Sequence, residues 1–296
     1  MKAGMIGLGN MGGAMARRML ARGLEVVGFD VSEAACARLE AAGGSCASSP
    51  REVADRAQIV LACLPSKTVC METAFGENGA VHGKALELYV EMSTLGRAPL
   101  LALNEGFRAA GMGLVDCPIS GGPAAAEEGR LTAIVAGGEA QIARLAPIFD
   151  ALVTNRFTVG GEPGMAQVCK LVNNILSITA MVTTCEAVSM AVKAGLDATT
   201  VIDVINVSTG RNSATMDKFP KAILPRTFDY GGPLTVGEKD VELYLELARD
   251  TGMPAFIGAN VANLFHHLTA QLGEEADYSR IINVWEQWGG ITVGGD

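Results

Sequence analysis

The sequence predicts an α/β protein of two parts, a doubly wound parallel sheet at the N-terminus followed by an all-α domain. Three observations predict this fold class. Strand-like apolar runs alternate with helical segments up to about residue 160, the strand-like pattern then stops, and a long proline-free segment follows. We therefore assign residues 1–162 to the sheet domain and residues 163–296 to the all-α domain, which begins with a long interdomain helix at about 164–194.

The N-terminal strands are predicted from near-continuous apolar runs, which are typical of parallel strands covered by helices on both faces. The predicted strands are 3–9, 25–30, 58–65, 87–93, 113–120 and 131–138. The predicted helices between them include 11–22, 32–42, 97–110 and 139–150.

The C-terminal elements rest on helical patterns. Segment 164–194 contains no proline and is followed by Gly195, whose position suits a helix C-cap. A helix of this length would extend roughly 45 Å, which exceeds an ordinary surface helix and suggests a connection between domains. Further helices are predicted at 197–207, 234–251, 255–272 and 277–288.

Composition restricts the classes of protein that remain. The 296 residues are 49% apolar and 19% charged with a net charge of −9, which argues against disorder and against nucleic acid as a partner. The seven cysteines form no CxxC pair, so we expect no metal site, no disulfide framework and reduced thiols in a cytoplasmic protein. Gln167, Asn173 and Ser177 within the long apolar segment argue against a membrane span.

A glycine-rich turn predicts a dinucleotide site of the Rossmann type. Its residues follow the first predicted strand and precede a helix: Gly7, Leu8, Gly9, Asn10, Met11 and Gly12. The glycines tighten the turn and bring backbone N–H groups against a pyrophosphate. Asp30 ends the second strand, where a carboxylate accepts both ribose hydroxyls and favours NAD over NADP. The alternative is that Asp30 only caps the next helix.

Three further strand ends carry candidate ligand-binding residues. Leu64 and Pro65 follow one predicted strand, and Ser93 and Thr94 end the next, at the sheet edge where ligands of such folds bind. Segment 120–122, which is Ser120, Gly121 and Gly122, exposes backbone N–H groups that suit a carboxylate. Each of the three could also be an ordinary turn.

The segment 163–185 carries a single formal charge, that of Lys170, among mostly apolar residues. One helical turn later, Asn173 or Asn174 shares its face. An amine beside an amide suits a substrate with hydroxyl and carboxylate oxygens, and burial favours the neutral amine that proton transfer requires. The alternative is a lysine that extends along the helix edge to solvent.

These motifs, in this order, resemble the β-hydroxyacid dehydrogenase family, which includes 3-hydroxyisobutyrate dehydrogenase, tartronate semialdehyde reductase and, more distantly, 6-phosphogluconate dehydrogenase. The resemblance covers nearly the whole chain. It rests on GLGNMG as the cofactor loop, DCPISGG as the substrate loop, GEPGMAQVCKLVNN as the catalytic helix and EKDVEL as a late Lys-Asp motif. The catalytic motif of the family usually has glycine where this chain has Ala166. The methyl group of alanine would limit how closely another segment can approach the helix at this position.

The resemblance implies a role for each candidate residue. Lys170 would be the catalytic acid/base, Asn174 would hold substrate oxygens, and Ser120, Gly121 and Gly122 would bind the substrate carboxylate. Leu64, Pro65, Thr94 and Lys239 would contact NAD, with Asp240 alongside. The family also implies a homodimer or homotetramer formed through the C-terminal domain.

The implied activity is NAD-dependent interconversion of a small β-hydroxy acid and its semialdehyde or keto acid. Three alternatives stay open. Asp30 disfavours an NADP-linked semialdehyde reductase, Lys170 counts against an imine reductase, and the intact motifs count against a non-catalytic NAD-binding sensor. The substrate itself is not readable from the sequence, although Arg211 or Lys218 could recognise a second anionic group if they are not simply solvated.

Overall fold

The computed structural model describes residues 1–295, which form two compact units. The first unit, Met1–Lys170, contains the sheet, and the second begins at Leu171 and is helical. The α/β and all-α parts predicted from the sequence are therefore confirmed. The boundary between the two units follows Lys170, within the long helix Met165–Lys193. The boundary assigned from the sequence lies after residue 162, just before that helix begins.

The first unit is built on one nine-stranded sheet. Its strands are β1 (Lys2–Ile6), β2 (Glu25–Phe29), β3 (Ser45–Cys46), β4 (Ile59–Ala62), β5 (Leu88–Glu91), β6 (Gly113–Asp116), β7 (Ile119–Ser120), β8 (Leu131–Ala136) and β9 (Val153–Gly160). The order β3-β2-β1-β4-β5-β6 is parallel throughout, and strand order reverses beside β1, as in dinucleotide-binding folds. β8 is antiparallel to β6 and β7, and β9 runs parallel to β8.

Helices cover both faces of this sheet, with one apolar core on each face. They are α1 (Asn10–Ala21), α2 (Glu33–Ala41), α3 (Pro50–Arg56), α4 (Lys67–Phe75), α5 (Arg97–Ala109), α6 (Gly122–Glu128), α7 (Glu139–Ala143) and α8 (Ala146–Leu152). α2, α3 and α4 each begin after a serine whose hydroxyl accepts a backbone N–H of the first turn. A short 3-10 turn at Ala80–His82 completes the unit.

The second unit packs helices around the long α9 (Met165–Lys193). The others are α10 (Ala198–Asn206), a π-helix at Ala214–Ile223, α11 (Leu234–Thr251), α12 (Phe256–Leu272), a 3-10 turn at Tyr278–Arg280 and α13 (Ile281–Gly289). Met181 and Cys185 of α9 are fully buried with Phe219 and Phe265 in the core of this unit. By length and composition α9 could cross a membrane, but these buried residues identify it as a core helix.

Cys36 on α2 and Cys46 on β3 are joined by a disulfide, with their Cα atoms 5.7 Å apart. The expectation that the cysteines are reduced thiols is therefore wrong for this pair. Gly28 of β2 pairs with Cys46, and α2 follows β2 directly, so the two cysteines meet through strand pairing. Because this proximity depends on strand pairing, the disulfide could not be predicted from the separation of ten residues between the two cysteines.

Candidate functional site

The glycine-rich turn lies between β1 and α1, at the carboxyl edge of the sheet. A side-chain carbon on Gly12 would overlap the carbonyl oxygen of Gly7, so the turn can close only around glycine. A side-chain carbon on Gly9 would instead meet nothing within 4 Å. The turn is thus tight on its inner side and open at Gly9, which fits the approach of a cofactor pyrophosphate to the backbone.

Asp30 follows β2 beside this turn. One of its carboxylate oxygens accepts the Leu8 backbone N–H at 2.7 Å, and the other accepts that of Ser32 at 2.8 Å. The N-cap of α2 is Ser32, whose hydroxyl accepts from Ala35 at 3.3 Å, so Asp30 does not cap that helix. Since each carboxylate oxygen has a second lone pair, Asp30 keeps acceptor capacity next to the glycine turn.

The residues predicted at the ends of β4 and β5 lie at the same edge. The Ser93 hydroxyl accepts the Leu64 backbone N–H at 2.8 Å, which ties the two strand-end loops together. Leu64 and Thr94 are half-buried and Pro65 is exposed. Leu64 also borders the glycine turn, because a side-chain carbon on Gly7 would contact it.

The predicted substrate loop links β7 to α6. Ser120 ends β7, and Gly121 and Gly122 adopt φ angles of +135° and +73°, which favour glycine. A side-chain carbon on Gly122 would meet nothing within 4 Å, so the backbone there is open to a ligand. The geometry is consistent with carboxylate binding, which stays a prediction.

Lys170 lies in the second turn of α9 with only 8% of its surface exposed. The alternative of a solvated lysine is therefore wrong. Asn174 follows one turn later, half-buried, and donates from its amide nitrogen to the Asp240 carboxylate at 2.6 Å. This bond fixes the orientation of the Asn174 amide.

Asp116, at the end of β6, holds the start of α9. One carboxylate oxygen accepts backbone N–H groups of Gly164 at 2.8 Å, Ala166 at 3.1 Å and Gln167 at 3.2 Å, which would otherwise lack partners at the helix N-terminus. The other oxygen accepts the Gln167 side-chain amide at 2.9 Å. The turn that precedes Lys170 is therefore anchored to the sheet edge.

Gln167 extends this network to the loop after β5. Its side-chain oxygen accepts the backbone N–H groups of Leu95 at 2.8 Å and Gly96 at 3.2 Å, and its nitrogen also donates to the Ser93 carbonyl at 3.1 Å. Ala166, where the family usually has glycine, is fully buried against Ile134 and Ala136. The additional methyl group is accommodated without loss of the network.

Sequence reasoning missed Asp116 and Gln167 as positioning residues. The available signals were a carboxylate that directly follows an apolar strand and a polar side chain in the first turn of an apolar helix. Both side chains reach backbone donors or acceptors of distant segments, with separations of 48 to 74 residues. Such bonds cannot be read from local spacing.

Two buried carboxyls lie side by side beneath this edge. The pKa of Glu91 is raised to about 7, chiefly by burial and also by the charge of Asp116, while the hydrogen bonds from Ser93 oppose the shift. Burial also raises the pKa of Asp116 to about 6, although Gln167 and backbone N–H groups favour its charged form. Only one Glu91 oxygen has a hydrogen-bond partner among residues 1–295, the Ser93 backbone N–H at 2.9 Å.

Glu91→Gln is expected to stabilise the protein at pH 8 and to have a much smaller effect at pH 5. A carboxyl whose pKa is raised on folding contributes stability below its unfolded pKa, near 4.3, and that contribution is lost progressively as pH rises from there to about 7. The amide removes this loss while its oxygen still accepts from Ser93. We expect a gain on the order of 1–3 kcal/mol at pH 8, measured by urea unfolding.

The control is Glu87→Gln, because Glu87 directly precedes β5, at the other end of the strand from Glu91, and pairs with Arg144 at 2.6 Å in a partly exposed position. It should show no pH-dependent gap between pH 5 and pH 8. A Glu91→Gln protein that is less stable than wild type at pH 8 would contradict the direction assigned to the Glu91 pKa.

The remaining predicted residues lie in the second unit. On α11, Lys239 pairs with the buried carboxylate of Asp240 at 3.2 Å, and its cofactor contact stays a prediction. The sequence did not decide whether Arg211 and Lys218 are solvated. In the structure Arg211 is exposed, whereas Lys218 is only 6% exposed.

Burial raises the pKa of the Cys117 thiol far above its usual range, as expected of a packing residue. Within residues 1–295, no three or more His, Cys, Asp or Glu side chains are grouped so that they could hold a metal ion.

Comparison with known proteins agrees with the geometry. A family model described as the NAD binding domain of 6-phosphogluconate dehydrogenase matches residues 2–161, and one described as NAD-binding of NADP-dependent 3-hydroxyisobutyrate dehydrogenase matches residues 164–285.

Two curated relatives and one solved structure illustrate the similarity. The chain is 33% identical to 2-(hydroxymethyl)glutarate dehydrogenase of Eubacterium barkeri, over 99% of this chain and 98% of that protein. It is 30% identical to the mitochondrial 3-hydroxyisobutyrate dehydrogenase of Homo sapiens, over 94% of this chain and 84% of that protein. A structure of Mycobacterium tuberculosis 3-hydroxyisobutyrate dehydrogenase with L-serine has a TM-score of 0.86 at 26% identity, covering 96% of this chain and 98% of that one. The chain belongs to the 3-hydroxyisobutyrate dehydrogenase family of β-hydroxyacid dehydrogenases.

Proposed function

We propose that this protein is an NAD-dependent oxidoreductase that interconverts a small β-hydroxy acid and its semialdehyde or keto acid. The observation that carries the proposal is Lys170, which is 8% exposed on a helix whose first turn Asp116 ties to the sheet edge. That edge also carries the glycine turn. A buried amine anchored to the sheet edge that also carries a dinucleotide-binding turn is suited to proton transfer that accompanies hydride transfer.

The glycine turn and Asp30 would hold the cofactor. The open backbone at Gly9 accommodates a pyrophosphate, and Asp30 would accept the ribose hydroxyls while repelling a 2′-phosphate. Leu64, Pro65, Thr94 and Lys239 are the further proposed contacts. When bound, NAD+ supplies the acceptor for the hydride that leaves the hydroxyl-bearing carbon. The preference for NAD over NADP rests on Asp30 alone.

The proposed role of Lys170 is general acid/base. In the oxidation, its neutral amine would accept the proton of the substrate hydroxyl, and in the reduction its ammonium would return that proton to the carbonyl oxygen. The low exposure of Lys170 supports this role, because it keeps the amine away from bulk water that would compete for the proton.

Two other groups would orient the substrate. Asn174 lies one turn beyond Lys170 on the same helix face, and its bond to Asp240 would hold its amide ready for substrate oxygens. The backbone at Ser120, Gly121 and Gly122 would receive the carboxylate. The homodimer or homotetramer and the cytoplasmic location expected from the sequence stay predictions.

The purified protein should oxidise at least one of three compounds: 3-hydroxyisobutyrate, L-serine and 2-(hydroxymethyl)glutarate. Each is assayed with NAD+ and with NADP+ between neutral and alkaline pH. Because a 2′-phosphate would face the Asp30 carboxylate, kcat/KM for NAD+ should exceed that for NADP+ by at least about tenfold.

Other outcomes of this panel would favour the alternatives. Higher kcat/KM with NADP+ would identify an NADP-linked enzyme. Reduction of a cyclic imine without oxidation of any hydroxy acid would favour an imine reductase. Cofactor binding without turnover of any compound would favour a sensor.

A further inference from the structure

Lys218 is a buried cation in the second unit, and its amine lies among hydroxyl groups. It lies on the π-helix Ala214–Ile223 and is 6% exposed. Its Nζ lies 3.3 Å from the hydroxyls of Ser177 and Ser213 and 3.5 Å from the Ser213 carbonyl oxygen, and it faces the Tyr230 ring at 5.5 Å from the centroid. A buried ammonium normally requires a paired anion.

Within residues 1–295, no carboxylate forms an ion pair with Lys218. Asp217 is adjacent and favours its charged form, but the Asp217 carboxylate bonds to the Lys221 ammonium at 2.5 Å and to the Tyr230 hydroxyl at 2.5 Å rather than to Lys218. Burial opposes that effect and lowers the pKa of Lys218. An incoming anion would therefore supply a direct ion pair that the described residues do not give Lys218.

Lys218 lines a cavity of 180 Å³ that lies wholly within the second unit. Polar side chains that also line this cavity include Asn174, Ser177, Tyr230 and Asp240. The Asp240 carboxylate is held by Asn174 and Lys239, so it does not neutralise Lys218. At roughly 30 Å³ for a water molecule in the liquid, this volume equals about six waters, enough for a short carbon arm that ends in a carboxylate.

Two residues of α9 that line the cavity, Asn174 and Ser177, lie on the helix face that also carries Lys170. Lys170, Asn174 and Ser177 are spaced by four and three residues, so they lie on one face of a single helix. From Lys170 to Ser177 the helix advances about 10 Å. A substrate held at Asn174 would thus have its distal end beside Ser177 and Lys218.

We propose that Lys218, assisted by Ser177, binds a second carboxylate at the distal end of the substrate. The substrate is then a dicarboxylic β-hydroxy acid, in which one carboxylate lies next to the reacting centre and the other ends a short arm. This inference rests on the proposed function, because it assigns the distal part of the same substrate.

The test compares two compounds with the same 3-hydroxypropanoate core. In 3-hydroxyisobutyrate the core carries a methyl group, and in 2-(hydroxymethyl)glutarate it carries a two-carbon arm with a carboxylate. With wild-type protein and NAD+, kcat/KM should be at least about 30-fold higher for the dicarboxylate, since a site that binds a charged group discriminates strongly against its absence. Lys218→Met should remove this preference, mainly by raising KM, and should change kcat/KM for 3-hydroxyisobutyrate by less than about threefold.

Two controls isolate the charge of Lys218. Lys193→Met removes an exposed lysine of the second unit that contacts the Gly289 carbonyl rather than Asp217, and it should leave the preference intact. The distal monoamide of 2-(hydroxymethyl)glutarate removes the charge from the substrate instead, so it tests the proposal with wild-type protein even if Lys218→Met does not fold. Its kcat/KM should fall to near that of 3-hydroxyisobutyrate.

The outcomes separate this inference from the proposed function. Oxidation of 3-hydroxyisobutyrate or L-serine with no preference for the dicarboxylate, or with equal use of the monoamide, would overturn the role of Lys218 and leave the dehydrogenase proposal standing. Equal losses for both substrates in Lys218→Met would also overturn it. Failure to oxidise any hydroxy acid would overturn both proposals.

Discussion

Lys170→Ala is expected to lower kcat about a thousandfold, because the substrate hydroxyl would lose the group that accepts its proton as the hydride leaves. Affinity for NADH should change little, since Lys170 is not among the proposed cofactor contacts, which lie at the glycine turn, at the strand ends and at Lys239. The measurement is steady-state turnover of the best substrate of the panel, together with fluorescence titration of NADH. Retention of more than about a tenth of wild-type kcat would exclude Lys170 as the acid/base.

Three further variants and conditions sharpen this test. Lys170→Arg keeps a cation but cannot release its proton at accessible pH, so its kcat should be as low as that of the alanine variant. Adding methylamine to Lys170→Ala should restore part of the lost rate if the missing function is proton transfer. Lys193→Ala removes an exposed lysine that contacts the Gly289 carbonyl at the far end of the same helix, and it should keep wild-type kcat.

The central strands were predictable from the sequence because parallel strands buried on both faces are continuous apolar runs. β9 was not, since most of its residues are exposed and its pattern, VTNRFTVG, lacks that signal. β3 contains only Ser45 and Cys46, too few residues for any periodicity. α3 and α4 were also missed, although Ser49 and Ser66 are serine N-caps that mark where they begin.

The candidate site was predictable where one segment carries the chemistry. The glycine turn and Lys170 with Asn174 each lie within a single turn or helix, so spacing alone brings their residues together. Asp116 and Gln167 act on backbone groups of other segments, and their roles required the structure. A charged residue such as Lys218 would by default be assigned to the solvent, yet it is buried in the π-helix, with its amine beside Ser177 and Ser213.

Gly9→Ala and Gly12→Ala are expected to separate cofactor binding from folding. Gly9 has a φ of −64°, which alanine adopts without strain, and its side-chain carbon would meet nothing within 4 Å. Stability should therefore stay within about 0.5 kcal/mol of wild type. The added methyl group would occupy the space through which a pyrophosphate approaches the backbone, so Kd for NADH should rise at least about 30-fold.

Gly12→Ala should instead lower the free energy of unfolding by about 3 kcal/mol or more, because its methyl group would overlap the Gly7 carbonyl oxygen and force the turn open. Urea unfolding and NADH titration on the same samples distinguish the two effects. Gly210→Ala is the control, since it meets only an ordinary contact with Ile205 and should alter neither quantity. If Gly9→Ala bound NADH with wild-type affinity, the pyrophosphate could not lie against the open side of this turn, and the cofactor would have to bind elsewhere on the sheet edge.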